Sequence, residues 1–315
     1  MQLPSYLQLF QSGELARRVE QAMRRLRQCD LCPHSCGVNR LEGEVGFCAT
    51  GAHPVVNDTM PHFGEESVLV GSGGSGAIFF SHCTMACIFC QTHDISQRGQ
   101  GTEIDSSRLA ELMLLLQSDG CHNINLITPT HVVPQILAAV QLAAAEGLHL
   151  PLVYNTSSYE TLTTLELLAD VVDIYLADFK FWHKSTAREL CGVEDYPTVA
   201  REALKKMQQQ VGNLHLDDKG LATSGLLVRH LVLPGYLRDT ARVLDFIARE
   251  ISVHTYVNLM GHYRPCGQAQ HHPVLNRTLR ASEYHAARQK ALEVGLHRLD
   301  QTHVHLYEHF FSPDE

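Results

Sequence analysis

A chain of 315 residues is long enough for one large α/β domain, or for such a domain with a small appendage. With 44% hydrophobic and 19% charged residues it has the composition of a globular protein with a sizeable core. A formal net charge of −9 offers no positive field to a nucleic acid, and no apolar run reaches the roughly 18 residues of a membrane span. The N-terminal MQLPSYLQLFQSGELARR lacks the charged start and apolar core of a signal peptide. A cytoplasmic protein with neither nucleic-acid nor membrane partner is therefore expected. In that reducing compartment the ten cysteines are expected to be metal ligands or spectators rather than disulfides.

Residues 13–28 read as an amphipathic helix whose Arg17, Arg18, Arg24, Arg25 and Arg27 form a solvated face. LCPHSCGVNRLEGEVGFCATGAHP follows, rich in Gly, Pro and Cys and poor in periodic apolar residues. Such a stretch cannot build a core alone and needs a metal to hold it. Cys29, Cys32, Cys36 and Cys48 supply a full set of four thiolates, suited to zinc or to an iron–sulfur cluster, with His34 or His53 able to replace one. GSGGSG at 71–76 lacks the Lys-Ser/Thr ending of a phosphate-binding loop and reads as a flexible approach to the first strand.

From there strands are expected at 77–81, 123–128, 150–155, 171–178, 225–233 and 253–260. Helices are expected near 106–118, 132–146, 159–169, 197–211, 239–251 and 281–294. Asp105 or Ser106 reads as an N-cap, and Gly120 and Gly147 as stops. The strands look buried on both faces, as a parallel sheet requires. Six β/α units in succession predict a partial (β/α)6 TIM-like barrel over residues 71–315, preceded by a cysteine-rich metal-binding segment over 1–70. In such folds the working residues gather at the C-terminal edge of the strands. Cys121, Cys191 and Cys266 read as small buried hydrophobes, and His303, His305 and His309 are given no role.

Directly after the first strand, SHCTMACIFCQ sets Cys83, Cys87 and Cys90 at the spacing C-x3-C-x2-C, with Phe89 before the last. A structural zinc site takes four ligands, which here would require His82 or His93. A [4Fe–4S] cubane has four iron corners, so three thiolates leave one iron open to a substrate or cofactor. Later strand ends carry Thr128-Pro129-Thr130-His131, Asn155-Thr156, Asp178-Phe179-Lys180, Arg229-His230-Leu231-Val232-Leu233-Pro234-Gly235, and Asn258 with His262.

The three-cysteine loop with Phe89 resembles the radical S-adenosylmethionine (SAM) superfamily. The resemblance implies a [4Fe–4S] cluster on Cys83, Cys87 and Cys90 whose open iron binds SAM, reductive SAM cleavage, and a low-potential electron donor such as flavodoxin or ferredoxin. Asp178-x-Lys180 and the strand from Arg229 to Pro234-Gly235 are similar to elements of glycyl-radical-enzyme activating enzymes. Together with the first cysteine segment, CQTHDIS, THVVPQI and VNLMGHYRPCG, they resemble the PflX-type group related to pyruvate formate-lyase activating enzymes, over about residues 29–267. That resemblance implies SAM contacts from Phe89, Thr128, Thr130, Asn155, Asp178, Lys180, Arg229 and His262, and a glycyl radical enzyme as partner. In activating enzymes with a second cluster segment, that segment follows the three cysteines; here it precedes them. Modification of a peptide or small metabolite, and a non-catalytic zinc or iron–sulfur protein, are the alternatives.

Overall fold

The structure is a computed structural model that describes residues 3–301, so His303, His305 and His309 lie outside the described residues. Ten strands form one mixed sheet: β1 Val55–His62, β2 Ser75–Phe80, β3 Thr102–Glu103, β4 Ile124–Ile127, β5 Leu152–Thr156, β6 Ile174–Asp178, β7 His215–Leu216, β8 Ala222–Leu231, β9 Tyr256–Met260 and β10 Arg298–Leu299. Their order is β10-β9-β8-β6-β5-β4-β2-β1-β3, with β7 paired to β8 off this path. From β2 to β10 every neighbouring pair is parallel, whereas β1 runs antiparallel to β2 and β3.

The helices are α1 Tyr6–Ser12, α2 Glu14–Arg24, α3 Ser67–Val70, α4 His93–Ser96, α5 Ser106–Ser118, α6 Val133–Ala145, α7 Leu162–Leu168, α8 Lys184–Cys191, α9 Tyr196–Val211, α10 Leu237–Phe246 and α11 Ala281–Glu293. Asp105 caps α5 by accepting from the Arg108 amide at 2.8 Å, and Gly120 and Gly147 take the left-handed backbone after α5 and α6. The last turn of α10 passes into a π-helical turn over Ile247–Ile251. Arg17 and Arg18 bond Glu14, Arg24 bonds Glu20 and Arg25 bonds Asp30, so the basic face of α2 is largely paired within itself. Among the described residues no helix is long and apolar enough to cross a membrane.

Two hydrophobic cores lie against the sheet. The larger packs the outer helices against one face and includes Leu126, Tyr154, Tyr175, Leu137, Leu165 and Leu204. The smaller sits inside the curve, where Val153, Ile174, Leu176 and Leu227 meet Val68 and Leu69 of α3 and Leu214. Alternate residues of a strand face opposite sides, so each strand feeds both cores, as in a barrel. The short helix α3 thus plugs one end of the partial barrel.

The expected division at residue 70 does not coincide with a break in the sheet, because β1 pairs with β2 from Val56↔Phe80 to His62↔Ser75. Nor is the approach to β2 loose. A Cβ at Gly73 would meet the Gly120 carbonyl oxygen at 2.0 Å, and one at Gly76 the Asn123 carbonyl oxygen at 2.6 Å, so these glycines permit close backbone packing.

One buried acid fixes the loop that leaves β6. Asp239 accepts from the amides of Trp182 and His183 at 2.7 and 2.9 Å and from the Thr186 hydroxyl at 3.1 Å, pinning the start of α8 to α10. Asp239→Ala leaves those donors without an acceptor, and a loss of about 2–3 kcal/mol is expected in the denaturant midpoint with the slope unchanged. A loss below about 0.5 kcal/mol would show that water replaces the carboxylate.

Candidate functional site

A cavity of about 320 Å³ opens at the C-terminal edge of the parallel strands. Phe79 of β2, Ile127 of β4, Asn155 of β5, Asp178 of β6, Arg229 and Leu231 of β8, and Met260 of β9 line it, together with Cys83, Cys87 and Cys90. A second cavity of about 360 Å³ lies at the opposite edge near Cys121, His122 and Asp173, away from the clustered thiols.

The cysteine loop is pinned from several sides. The Ile88 amide donates to the Leu190 carbonyl at 2.9 Å, the Ala269 amide to the Ile88 carbonyl at 3.0 Å, and Gln97 to the Cys87 carbonyl at 3.0 Å. The Met85 amide reaches Cys83 Sγ at 3.3 Å, and Cys90 Sγ lies 3.1 Å from Ser96 Oγ. Burial pushes the Cys83 thiol up to about 12, with Cys87 and Cys90 adding to the shift. Cys87 is raised well above its ordinary value by the hydrogen-bonded side chain of Cys191 and then by burial, while Lys180 pulls it back. Thiols this deep keep their protons at neutral pH unless a metal replaces them, so the donor set fits the cluster expected from the sequence. As the side chains stand, no three His, Cys, Asp or Glu among the described residues converge as a site for one metal ion would require. A cubane differs from such a site in spreading its thiolates over separate iron corners.

The strand period explains which other residues reach the cavity. Asp178 and Lys180 face it and form an ion pair, whereas Phe179 between them is fully buried against Trp182 and Phe246. Arg229 faces inward, while His230 is buried outward with Nδ1 2.6 Å from the Phe179 carbonyl oxygen. The floor is ionic. Arg229 Nε donates to Glu66 at 2.7 Å and Nη2 donates to both Glu66 and Glu65. Asn258 donates to Glu66 at 2.6 Å and Asn125 to Glu65 at 3.2 Å. Burial opposes ionisation of Glu66, but Arg229 and Asn258 outweigh it and hold the carboxyl below its ordinary range. The guanidinium fork that the resemblance assigns to SAM's carboxylate is therefore engaged by two acids of the chain itself.

Phe89 lines the cavity and meets Phe181 and Tyr263 edge-on at 6.0 and 6.4 Å; His262 also lines it. Thr128 and Asn155 are at the wall, Thr128 with φ +60. His82 and Ser158 likewise hold φ +69 and +63, so strained non-glycine backbone follows three neighbouring strands at this one edge. Thr130 is 2% exposed and donates to buried Glu160 at 2.6 Å, as Thr156 does, so Thr130 supports the wall from behind. His131 also turns away, with Nε2 2.8 Å from the Ser81 carbonyl oxygen.

The first four cysteines fold into turns. The Cys29 amide donates to Val38 at 2.9 Å, the Gly37 amide to Cys29 at 2.9 Å and the Ser35 amide to Cys32 at 3.0 Å, with Ser35 and Ala49 at positive φ. Burial, with Cys48, Cys29 and Cys36 nearby, pushes the Cys32 thiol up to about 12. A Cβ on Gly46 would lie 2.3 Å from Cys36 Sγ, so this glycine makes room for the sulfur. The segment packs on the second loop: His34 Nε2 lies 2.8 Å from the Thr84 carbonyl oxygen, and its ring stacks on Phe47 at 3.9 Å.

Sequence reasoning missed Glu65, Glu66, Glu160 and Cys191. The acids lie in short linking segments with no periodic signal, and Cys191 ends α8, a helix the apolar spacing did not reveal.

No protein-family model matches the chain. Uncharacterized protein MJ0674 of Methanocaldococcus jannaschii is 32% identical over 287 residues, which cover 88% of this chain and 77% of that protein. The chain belongs to the family of MJ0674. Among solved structures, SuiB of Streptococcus suis aligns with a TM-score of 0.49 and 12% identity, over 72% of this chain and 49% of SuiB. SuiB bound to S-adenosylmethionine and SuiB bound to its precursor peptide SuiA each align with a TM-score of 0.46 and 12% identity, over 67% of this chain and 45% and 43% of SuiB. The chain thus spans about half the length of SuiB.

Two outcomes follow for this member of the MJ0674 family. Gly46→Ala should displace Cys36 and lower the metal retained per chain after anaerobic reconstitution, with Gly51→Ala, where no atom lies near the new Cβ and φ is not positive, as the control. Glu160 is raised by burial to about 7 from 4.5, so its contribution to stability is full below pH 4.5 and is lost as pH rises through about 7. Glu160→Gln should remove this loss, which amounts to about 3 kcal/mol, between pH 5 and pH 8 in parallel melts. Parallel pH profiles for both proteins would contradict it.

Proposed function

We propose that this MJ0674-family chain is a radical SAM enzyme. The observation that carries the reading is the meeting of Cys83, Cys87 and Cys90 at one cavity on the C-terminal edge of a parallel partial barrel. When bound there, a [4Fe–4S] cluster would supply the electron that splits SAM's sulfonium bond and so yields a 5′-deoxyadenosyl radical. Everything else falls to the chain. Lys180 places a positive charge beside Cys87 and Cys83, easing the loss of their protons. Asp178 holds Lys180 in place, and Asn155, Thr128 and His262 present polar groups for SAM at the wall. Phe89, Leu231 and Met260 exclude water from the same space.

For Arg229 the better role is to neutralise Glu65 and Glu66 and set the cavity floor, leaving other donors to receive a carboxylate. The hydrogen donor we assign is a backbone glycine of a partner glycyl radical enzyme. Support comes from the Asp178-x-Lys180 and Arg229 to Gly235 resemblances, and from Asp178, Lys180 and Arg229 sharing one cavity. Flavodoxin or ferredoxin is the corresponding electron donor, and the four-cysteine segment holds zinc or a second cluster.

Anaerobically reconstituted protein given SAM and dithionite should release 5′-deoxyadenosine and methionine, and Cys87→Ala should abolish release. Cleavage unchanged in Cys87→Ala would overturn the assignment. With a glycyl radical enzyme added, a protein radical doublet is expected in electron paramagnetic resonance. Active cleavage with no doublet across candidates, and deuterium appearing in deoxyadenosine from a labelled peptide or metabolite, would instead establish the second substrate class.

A further inference from the structure

Arg40 is 1% exposed, and its guanidinium points into the interior. Nε donates to the Gly51 carbonyl at 2.9 Å, and Nη1 donates to the His131 carbonyl at 2.7 Å while facing Cys29 Sγ at 4.0 Å. Nη2 is buried with no hydrogen-bond partner among the described residues. No Asp or Glu of the described residues forms an ion pair with it. A guanidinium keeps its charge in any protein, and burying a charge without an opposite one is costly. The group beside it that can take negative charge is the Cys29 thiol, 5% exposed, and the Cys32 thiol lies near Cys29, Cys36 and Cys48 in turn. Four thiolates on the separate corners of a [4Fe–4S]2+ core leave a net charge of −2, which a single cation at contact distance would halve.

We propose that Arg40 is the counter-charge of a metal-bound tetrathiolate at Cys29, Cys32, Cys36 and Cys48, tying that site to the end of β4 through the His131 carbonyl. The inference rests on reading the four-cysteine segment as a metal site, and it adds a positioning residue that the cysteine spacing does not reveal. It also explains how the segment is held on the barrel. His131, which accepts from Arg40 at its carbonyl, has Nε2 against Ser81 two residues before Cys83. Burial holds the His131 ring far below its ordinary value, at about 3, so the ring is neutral and Nε2 donates to the Ser81 carbonyl. Loading the first site should therefore order the chain that leads into the second.

The test uses the full chain with Cys83, Cys87 and Cys90 changed to alanine, so that any metal belongs to residues 29–48. Iron and zinc are counted per chain after a chelator challenge. Arg40→Met should weaken metal retention about 10- to 100-fold, Arg40→Lys should restore part of it, and Cys29→Ala, which removes a ligand, should weaken retention further still. Retention in Arg40→Met equal to that of the unaltered arginine would overturn the proposal. A different result marks failure of the underlying site. In that case the arginine-containing chain holds no metal, and all four thiols react with a thiol reagent in the folded protein. Should Arg40→Met not fold, the unaltered arginine still gives an answer. Stripping its metal should raise amide exchange over residues 40–51 and 132–135, and unchanged exchange there overturns the proposal.

Discussion

Cys83 and Cys87, deep in one cavity, keep their protons and ionise only where a cation displaces them. This constraint governs the C-terminal edge of the barrel. Burial, with Cys87 and Cys90 nearby, drives Cys83 far above the ordinary thiol range, and the hydrogen-bonded Cys191 and then burial raise Cys87. A bound cation that displaces their protons to solvent relieves the cost of the thiolates, and the charge of Lys180 lowers it in part. The sheet makes the meeting possible. Parallel strands joined by crossovers deliver their outgoing loops to one edge, so residues from Phe79 to Met260 share a wall although 181 positions separate them.

Charge inside the curve is arranged in two tiers. Above, Asp178 and Lys180 pair next to the thiols. Below, Arg229 binds Glu65 and Glu66 across the top of the α3 plug. The second tier comes from chain that precedes the first parallel strand, so the N-terminal region supplies part of the barrel interior. The four-cysteine turns extend that relation. Through His34 at Thr84 and Arg40 at His131 they touch the loop ends of β2 and β4. The two cysteine segments are thereby mechanically joined.

Much of this was legible in the residues. Apolar runs gave all six main strands to within a few positions, because a strand buried on both faces leaves a continuous signal. The cysteine spacings marked both thiol groups, and the end of the fourth expected strand marked Asp178 and Lys180, which the pleat then turns to one face. What stayed hidden follows from pairing across long sequence distances. Val55–His62 reads as polar and Pro-interrupted, yet it pairs along the barrel edge because β2 offers it a partner. α8 is too polar for an apolar stripe, so Cys191 passed as a spectator although its side chain bonds Cys87. Thr130 and Thr128 stand two residues apart, but the left-handed backbone at Thr128 turns one to the wall and the other to Glu160. Arg229 was read as an open fork because Glu65 and Glu66 lie more than 160 positions away.

The most direct test of the central claim is Mössbauer spectroscopy of anaerobically reconstituted protein with Cys29, Cys32, Cys36 and Cys48 replaced, before and after SAM is added. The account predicts a [4Fe–4S] signal held by Cys83, Cys87 and Cys90 in which one iron of the four becomes distinct when SAM binds. Zinc at that cavity, or four irons that SAM leaves unchanged, would contradict it.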